Sequence, residues 1–129
     1  FVSFFYEIKN IKLSVQSLAK INCLLVKKLL TNYYRKKILF KKPNDLLIEK
    51  KKISGILQET INILDSKFLI VGIGINLIKS PKIKNYPTTN LYELINKHIN
   101  KTEVENKLKL IFEENLSKLY KINTKLNNL

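Results

Sequence analysis

The chain has one cysteine, Cys23, and one histidine, His98, among its 129 residues. A single cysteine cannot form an internal disulfide, so nothing indicates an oxidising compartment. So few cysteines and histidines argue against a zinc cluster and a Ser-His-Asp triad, and we predict no metal site built from protein side chains. We expect Cys23 to be a small buried hydrophobe and His98 to pack on the apolar face of a helix.

Long hydrophobic runs are also missing. The longest apolar stretches, such as residues 68–73, are far shorter than the roughly 20 residues that a membrane span needs. No basic segment followed by an apolar one resembles a signal peptide. We therefore expect a cytoplasmic protein with no membrane partner.

Acidic residues are few, and the 10 Asp and Glu against 24 Lys and Arg give a formal net charge of +14. Such a charge favours phosphate-bearing partners, including nucleic acids and nucleotides. The lysines are spread along the chain, however, without the interleaved aromatics of a surface that stacks on bases. We favour a bias toward the A/T-rich codons of Lys, Asn and Ile as the explanation of the charge, with attraction to phosphates as a secondary benefit. We therefore do not expect a nucleic-acid partner. A basic nucleic-acid-binding module remains the alternative.

The hydrophobic pattern alternates between strand and helix periods. Ser14 is placed to cap a long helix, and Asn90 with Glu93, then Thr102 with Glu105, form two capping-box signals. The predicted order is strand, helix, several strands and two helices, over residues 1–8, 14–33, 36–40, 46–48, 53–57 with 61–64, 68–77, 91–99 and 102–119. This order predicts an α+β fold, with a mixed or antiparallel sheet and helices packed on one face.

Glycine is scarce, and all three glycines fall inside predicted strands. Gly72 and Gly74 are two residues apart, so they face the same side of a strand, where their missing side chains open a slot. A flat ligand could lie on that bare backbone, although a bulge or tight packing would also explain a strand glycine, and for Gly55 alone we prefer such a structural role. A third glycine opening a helix is missing, so this is not a dinucleotide-binding fingerprint.

A second polar group precedes the glycines. Asn44 and Asp45 follow Pro43 at a predicted strand end, where an amide suits an adenine edge or a ribose and a carboxylate suits a metal ion or an amine. Lys52 lies three residues before Gly55, and a lysine beside a slot is a natural partner for a carboxylate or a phosphate. Taken alone, Asn44 and Asp45 after a proline more often form an ordinary turn, and Lys52 alone is more often a solvated surface side chain.

Three segments taken together resemble a known family. Lys41–Ile48 (KKPNDLLI), Lys52–Glu59 (KISGILQE) and Val71–Leu77 (VGIGINL) look like three consecutive motifs of biotin protein ligases, in the same order and spacing. The resemblance implies the class II synthetase-like biotinyl/lipoyl transferase fold. It also implies a ligase that activates biotin with ATP and Mg²⁺ to biotinyl-5′-adenylate, then biotinylates a lysine of a biotin carboxyl carrier protein.

The resemblance also implies roles for individual residues. Lys52 would contact the biotin carboxyl and the adenylate phosphate, and Asp45 would position the acceptor lysine or the metal, which makes these two the candidate catalytic residues. The resemblance also implies which residues contact each ligand. Biotin would contact Lys52, Gly55, Leu57, Gly72 and Gly74. ATP or the adenylate would contact Asn44, Asp45, Lys52 and Asn76.

The sequence departs from the family pattern in three respects. Lys42 stands where the family usually has tryptophan. The family's glycine- and arginine-rich loop and its small C-terminal β-domain have no counterpart in residues 1–129, which begin with Phe1 rather than Met. We therefore expect a single partial catalytic domain, and a catalytically impaired fragment, a non-catalytic remnant and a lipoate-type relative remain alternatives.

Overall fold

In the part of the chain that the structure describes, a five-stranded antiparallel sheet and three helices form the fold. The computed structural model describes residues 1–8 and 11–127, with side chains described as far as residue 118. The elements in chain order are β1 (Val2–Glu7), α1 (Val15–Leu30), β2 (Leu39–Lys41), β3 (Asp45–Ile48), β4 (Lys51–Ile63), β5 (Ser66–Ile75), α2 (Leu91–Ile95) and α3 (Lys101–Asn127). The strands are arranged in the order β1-β5-β4-β3-β2. This architecture confirms the predicted α+β class.

The helices cover one face of the sheet. The side chain of Ser14 caps α1, as predicted, by accepting a hydrogen bond from the Ser17 amide. The apolar stripe of α1 is buried against the sheet and α3, and the rings of Phe4 in β1 and Phe112 in α3 stack with centroids 4.3 Å apart. The buried side chain of Asn22 donates a hydrogen bond to the side chain of Gln58, which is half-buried, and links α1 to β4. The core therefore lies between the helices and one side of the sheet.

The opposite face of the sheet carries small and exposed side chains. Gly55 and Leu57 in β4 lie opposite Gly74 and Gly72 in β5, and Leu57 is 66% exposed. β5 is an interior strand, as predicted, and its pairing with β4 runs unbroken from Ser54 to Ile63. The two strand pieces predicted at residues 53–57 and 61–64 are for that reason one long strand.

The helices after the sheet differ from the prediction. α2 ends at Ile95 because Asn96 adopts the left-handed conformation (φ 51°), which asparagine tolerates better than most residues. The predicted continuation to residue 99 is therefore wrong, and His98 is exposed outside a helix instead of packed on one. α3 begins earlier than predicted, because the Asn100 side chain, rather than Thr102, accepts the hydrogen bond from the Glu103 amide.

No helix in the described part of the chain is both long enough and apolar enough to cross a membrane.

Leucine truncations in α1 test which face of this helix forms the core. Leu29 is fully buried, whereas Leu24 is 43% exposed. We expect Leu29→Ala to lower the free energy of unfolding by about 2–5 kcal/mol, since it leaves a cavity, and Leu24→Ala to lower it by less than about 1 kcal/mol. Urea unfolding of the two variants measures the difference. Equal losses would show that α1 does not pack as described.

Candidate functional site

A β-bulge in β4 determines the geometry of the site. Leu46 of β3 pairs with Ser54, but the next residue, Leu47, pairs with Lys52, so Ile53 is an extra residue in β4. Ile53 and Ser54 are consequently both buried. In a regular strand, positions three apart point to opposite faces, whereas the bulge brings Lys52 to the same side as Gly55.

Lys52, Asp45 and Gly55 meet at one point on the open face. Asp45 lies directly opposite Gly55 in the β3–β4 ladder. The Lys52 ammonium lies 3.1 Å from Asp45 Oδ1, and a Cβ built on Gly55 would lie only 3.0 Å from Lys52 Nζ and 3.2 Å from Asp45 Oδ1. The absent side chain of Gly55 is therefore what leaves room for the ion pair.

A cavity of about 270 Å³ opens beside this ion pair. Seven of the eight predicted site residues line it: Asn44, Asp45, Lys52, Gly55, Leu57, Gly74 and Asn76. The eighth, Gly72, lies under the ring of Phe1, whose Cζ would be 2.8 Å from a Cβ at Gly72. The flat group resting on that part of the bare backbone is thus the Phe1 ring, and Gly74 is the member of the pair that borders the cavity.

The two asparagines fix the backbone around the cavity. The Asn44 side chain donates to the Ile56 carbonyl (2.6 Å), while the Ile56 amide donates to the Asn44 carbonyl (3.0 Å). The Asn76 side chain donates to the carbonyls of Thr89 (3.0 Å) and Lys52 (3.4 Å). Their amide N–H groups are committed to backbone, so a ligand would meet mainly their carbonyl oxygens.

Sequence reasoning missed Tyr86, whose hydroxyl donates to Asp45 Oδ2 at 2.6 Å. It also missed Ser54, which is buried and donates to the Gly74 carbonyl at 2.7 Å. Tyr86 lies 41 residues from Asp45 in the sequence, so no local pattern links them. The one available signal was the position of Tyr86 before Pro87, in the loop between the last motif (residues 71–77) and α2.

The site offers one carboxylate to a cation. Within residues 1–8 and 11–127, no group of three His, Cys, Asp or Glu side chains is arranged to hold a metal ion. Asp45 is the single carboxylate among the residues lining the cavity. A single carboxylate fits a hard cation that would be held mainly by the phosphates of a nucleotide.

Comparison with known proteins assigns the chain to a family. The sequence matches the biotin/lipoate A/B protein ligase family over residues 2–76, more than half of the chain. The chain belongs to this family. No curated protein sequence matches it. The match to the biotin/lipoate ligase family confirms the resemblance that the three motifs indicated.

Solved structures of biotin/lipoate ligases share the fold. A biotin protein ligase from Aquifex aeolicus in complex with biotin and ATP is 32% identical, with a TM-score of 0.74, and the match covers 90% of this chain and 49% of that one. A biotin protein ligase from Leishmania major in complex with biotinyl-5-AMP is 20% identical, with a TM-score of 0.69 and coverages of 95% and 53%. LipL1 from P. falciparum in complex with lipoate is 20% identical, with a TM-score of 0.56 and coverages of 94% and 34%. The chain thus spans about half the length of the biotin ligases it matches.

Cys23 provides a test of the burial of α1. Burial, and to a smaller extent the charge of Asp45, raise the pKa of the Cys23 thiol to about 12. At pH 8 the thiol therefore stays protonated and unreactive, and we expect iodoacetamide to modify the native chain far more slowly than the chain in guanidinium chloride. Mass spectrometry measures both rates on this single cysteine. Similar rates in the two conditions would contradict the burial of Cys23.

Proposed function

We propose that the chain carries the adenylate-forming centre of a biotin protein ligase. The enzyme would activate biotin with ATP to biotinyl-5′-adenylate and transfer the biotinyl group to a lysine of a biotin carboxyl carrier protein. The observation that carries the proposal is the convergence of Lys52, Asp45 and Gly55 on one cavity, in a chain of this family. The biotin branch is favoured over the lipoate branch by the 32% identity to the Aquifex aeolicus biotin ligase.

Lys52 is suited to the first half-reaction. A biotin carboxylate oxygen would attack the α-phosphorus of ATP, and pyrophosphate would leave with the electron pair of the broken P–O bond. The ammonium group of Lys52 would stabilise the negative charge that develops on the phosphate oxygens, in a partly enclosed site where this attraction is stronger than in water. Lys52 would exchange its ion pair with Asp45 for this contact.

The remaining site residues would shape the two ligand positions. Gly55, Leu57 and Gly74 would form an apolar wall for biotin. Gly72, which pairs with Leu57, would continue this wall along β5. The side-chain oxygens of Asn44 and Asn76 would face the nucleotide. Mg²⁺, held mainly through phosphate oxygens with Asp45 nearby, would neutralise phosphate charge.

Asp45 is suited to the second half-reaction, in which the acceptor lysine attacks the biotinyl carbonyl and AMP leaves. Once Lys52 turns to the phosphate, Oδ1 of Asp45 can accept a hydrogen bond from the incoming amine. The same carboxylate would thus pair with Lys52 before adenylate formation and with the acceptor lysine afterwards.

Substitution of Lys52 tests the proposal directly. We expect Lys52→Ala to weaken binding of a non-hydrolysable biotinyl-5′-adenylate analogue by about 10-fold to 100-fold, the usual effect of losing a charge-assisted hydrogen bond. Lys51→Ala is the matched control, since Lys51 is an exposed lysine of the same strand. Titration calorimetry measures both affinities.

Three outcomes of this titration are informative. Loss of affinity in Lys52→Ala alone supports the proposed site. Equal losses in the two lysine variants would point to general charge attraction instead. A folded wild-type chain, including any natural flanking sequence, that binds no analogue would rule out the ligase assignment.

A second substitution tests whether the space left by the missing Gly55 side chain serves ligand binding or only the stability of the fold. Gly55 has no positive φ, and the nearest atoms to an added Cβ are the ends of the Lys52 and Asp45 side chains, which can shift. We therefore expect Gly55→Ala to change the melting temperature by only a few degrees while weakening analogue binding severalfold. Calorimetry and thermal melts on the same sample measure both effects. An unchanged affinity would place the ligand elsewhere.

A further inference from the structure

The two oxygens of the Asp45 carboxylate have different partners. Oδ1 pairs with the Lys52 ammonium at 3.1 Å, and Oδ2 accepts a hydrogen bond of 2.6 Å from the Tyr86 hydroxyl. Asp45 is largely buried, with its side chain 14% exposed. If Lys52 turns to a ligand phosphate, the hydrogen bond from Tyr86 stays on this carboxylate and holds the direction in which Oδ1 points.

The loop that carries Tyr86 is braced at several points. The Tyr86 amide donates to the Ile83 carbonyl (3.2 Å) around Asn85, whose φ is 60°, and the Thr88 hydroxyl donates to the Pro81 carbonyl (2.6 Å). These contacts hold the phenol ring without help from a ligand.

The same loop is bonded to the backbone of Lys52 on both sides. The Lys52 amide donates to the Pro87 carbonyl, and the Thr89 amide donates to the Lys52 carbonyl, both at 2.9 Å. Tyr86 and Lys52 are therefore fixed relative to each other through the main chain. A shift of the Lys52 side chain toward a ligand does not need to move Tyr86.

Two ammonium groups lie beside the ring of Tyr86, and a carboxylate lies at its hydroxyl. The ammonium groups of Lys41 and Lys52 lie 4.4 Å and 5.4 Å from the centre of the Tyr86 ring, where the ring face attracts cations. Burial first, and then the hydrogen bond and charge of Asp45, raise the pKa of Tyr86 to about 12. An ionised carboxylate can only accept, so the Tyr86 hydroxyl is the donor in its hydrogen bond to Asp45.

We propose that Tyr86 is a positioning residue for the transfer half-reaction: its hydroxyl holds the Asp45 carboxylate in place while Lys52 binds the adenylate phosphate, so that Oδ1 faces the incoming amine. This inference rests on the proposed ligase function and assigns to Tyr86 a task in one of its two steps. Tyr86 acts through Asp45 and need not touch either substrate.

The transfer step needs no further reactant. The amine nitrogen forms a C–N bond with the biotinyl carbonyl carbon, and the C–O bond to the phosphate of AMP breaks, its electron pair leaving with AMP. Starting from an ammonium group, two protons pass to solvent. Asp45 orients the nitrogen by accepting a hydrogen bond from one of its N–H groups, and the hydrogen bond from Tyr86 orients Asp45.

Measuring the two half-reactions separately in Tyr86→Phe tests this assignment. The substitution removes the hydroxyl and keeps the ring beside the two lysines. The full natural protein is loaded with biotin and ATP, adenylate formation is followed by pyrophosphate release, and single-turnover transfer to the carrier lysine is followed by mass spectrometry. We expect transfer to slow by about tenfold, the usual effect of losing a hydrogen bond to a charged group, and adenylate formation to stay within about twofold.

Two further variants make the test specific. Tyr92→Phe removes the hydroxyl of an exposed tyrosine in α2 and should change neither step. In an Asp45→Ala background, Tyr86→Phe should slow transfer no further, because the residue through which it acts is gone.

The outcomes separate this inference from the proposed function. Equal slowing of both half-reactions by Tyr86→Phe would show that Tyr86 only supports the fold around Lys52, and unimpaired transfer would show that its hydroxyl has no role; either result overturns the inference. Full additivity with Asp45→Ala would also overturn it. A wild-type protein that forms no adenylate would instead refute the ligase function, and the role of Tyr86 with it.

Discussion

The extra residue in β4 is the constraint on which the site depends. Because Ile53 interrupts the alternation of the strand, Lys52 reaches the open face while Ile53 and Ser54 are both buried. A regular strand would place either Lys52 or Gly55 on the covered side, where an ammonium group would be costly without a partner. Bulges often redirect a side chain beside an active site, and this one aligns a lysine with the gap left by a glycine.

The division of the sheet into two faces explains why one of them can hold a ligand. α1 and α3 supply the apolar core on one side, and most of the fully buried side chains lie there. The open face is therefore free to carry Gly55, Gly74 and an exposed Leu57, residues that would weaken a core. The open face can border a cavity because the apolar core lies on the opposite face of the sheet.

Local signals in the sequence were sufficient for much of the fold and for seven of the cavity residues. Ser14 capped its helix as expected, since a cap depends on residues three positions apart. The sequence was insufficient wherever the outcome depended on distant partners or on a choice between neighbouring caps. Asn96 ended α2 early through its own backbone conformation, and Tyr86 reached Asp45 only because a loop returns to the edge of the bulge.

The charges at the cavity suggest how one carboxylate can serve two steps. The Lys52–Asp45 ion pair is partly exposed, with side-chain exposures of 27% and 14%, and pairs of this kind contribute at most about 1 kcal/mol to stability. A phosphate carries at least as much negative charge as the carboxylate, so Lys52 can change partners at little cost.

Asp45 would then be a partly buried anion short of one partner, which is an unfavourable state unless a cation replaces the lysine. The hydrogen bond from Tyr86 limits that cost, and the ammonium group of an acceptor lysine would remove it. Formation of the adenylate would by this route itself create the binding site for the next substrate.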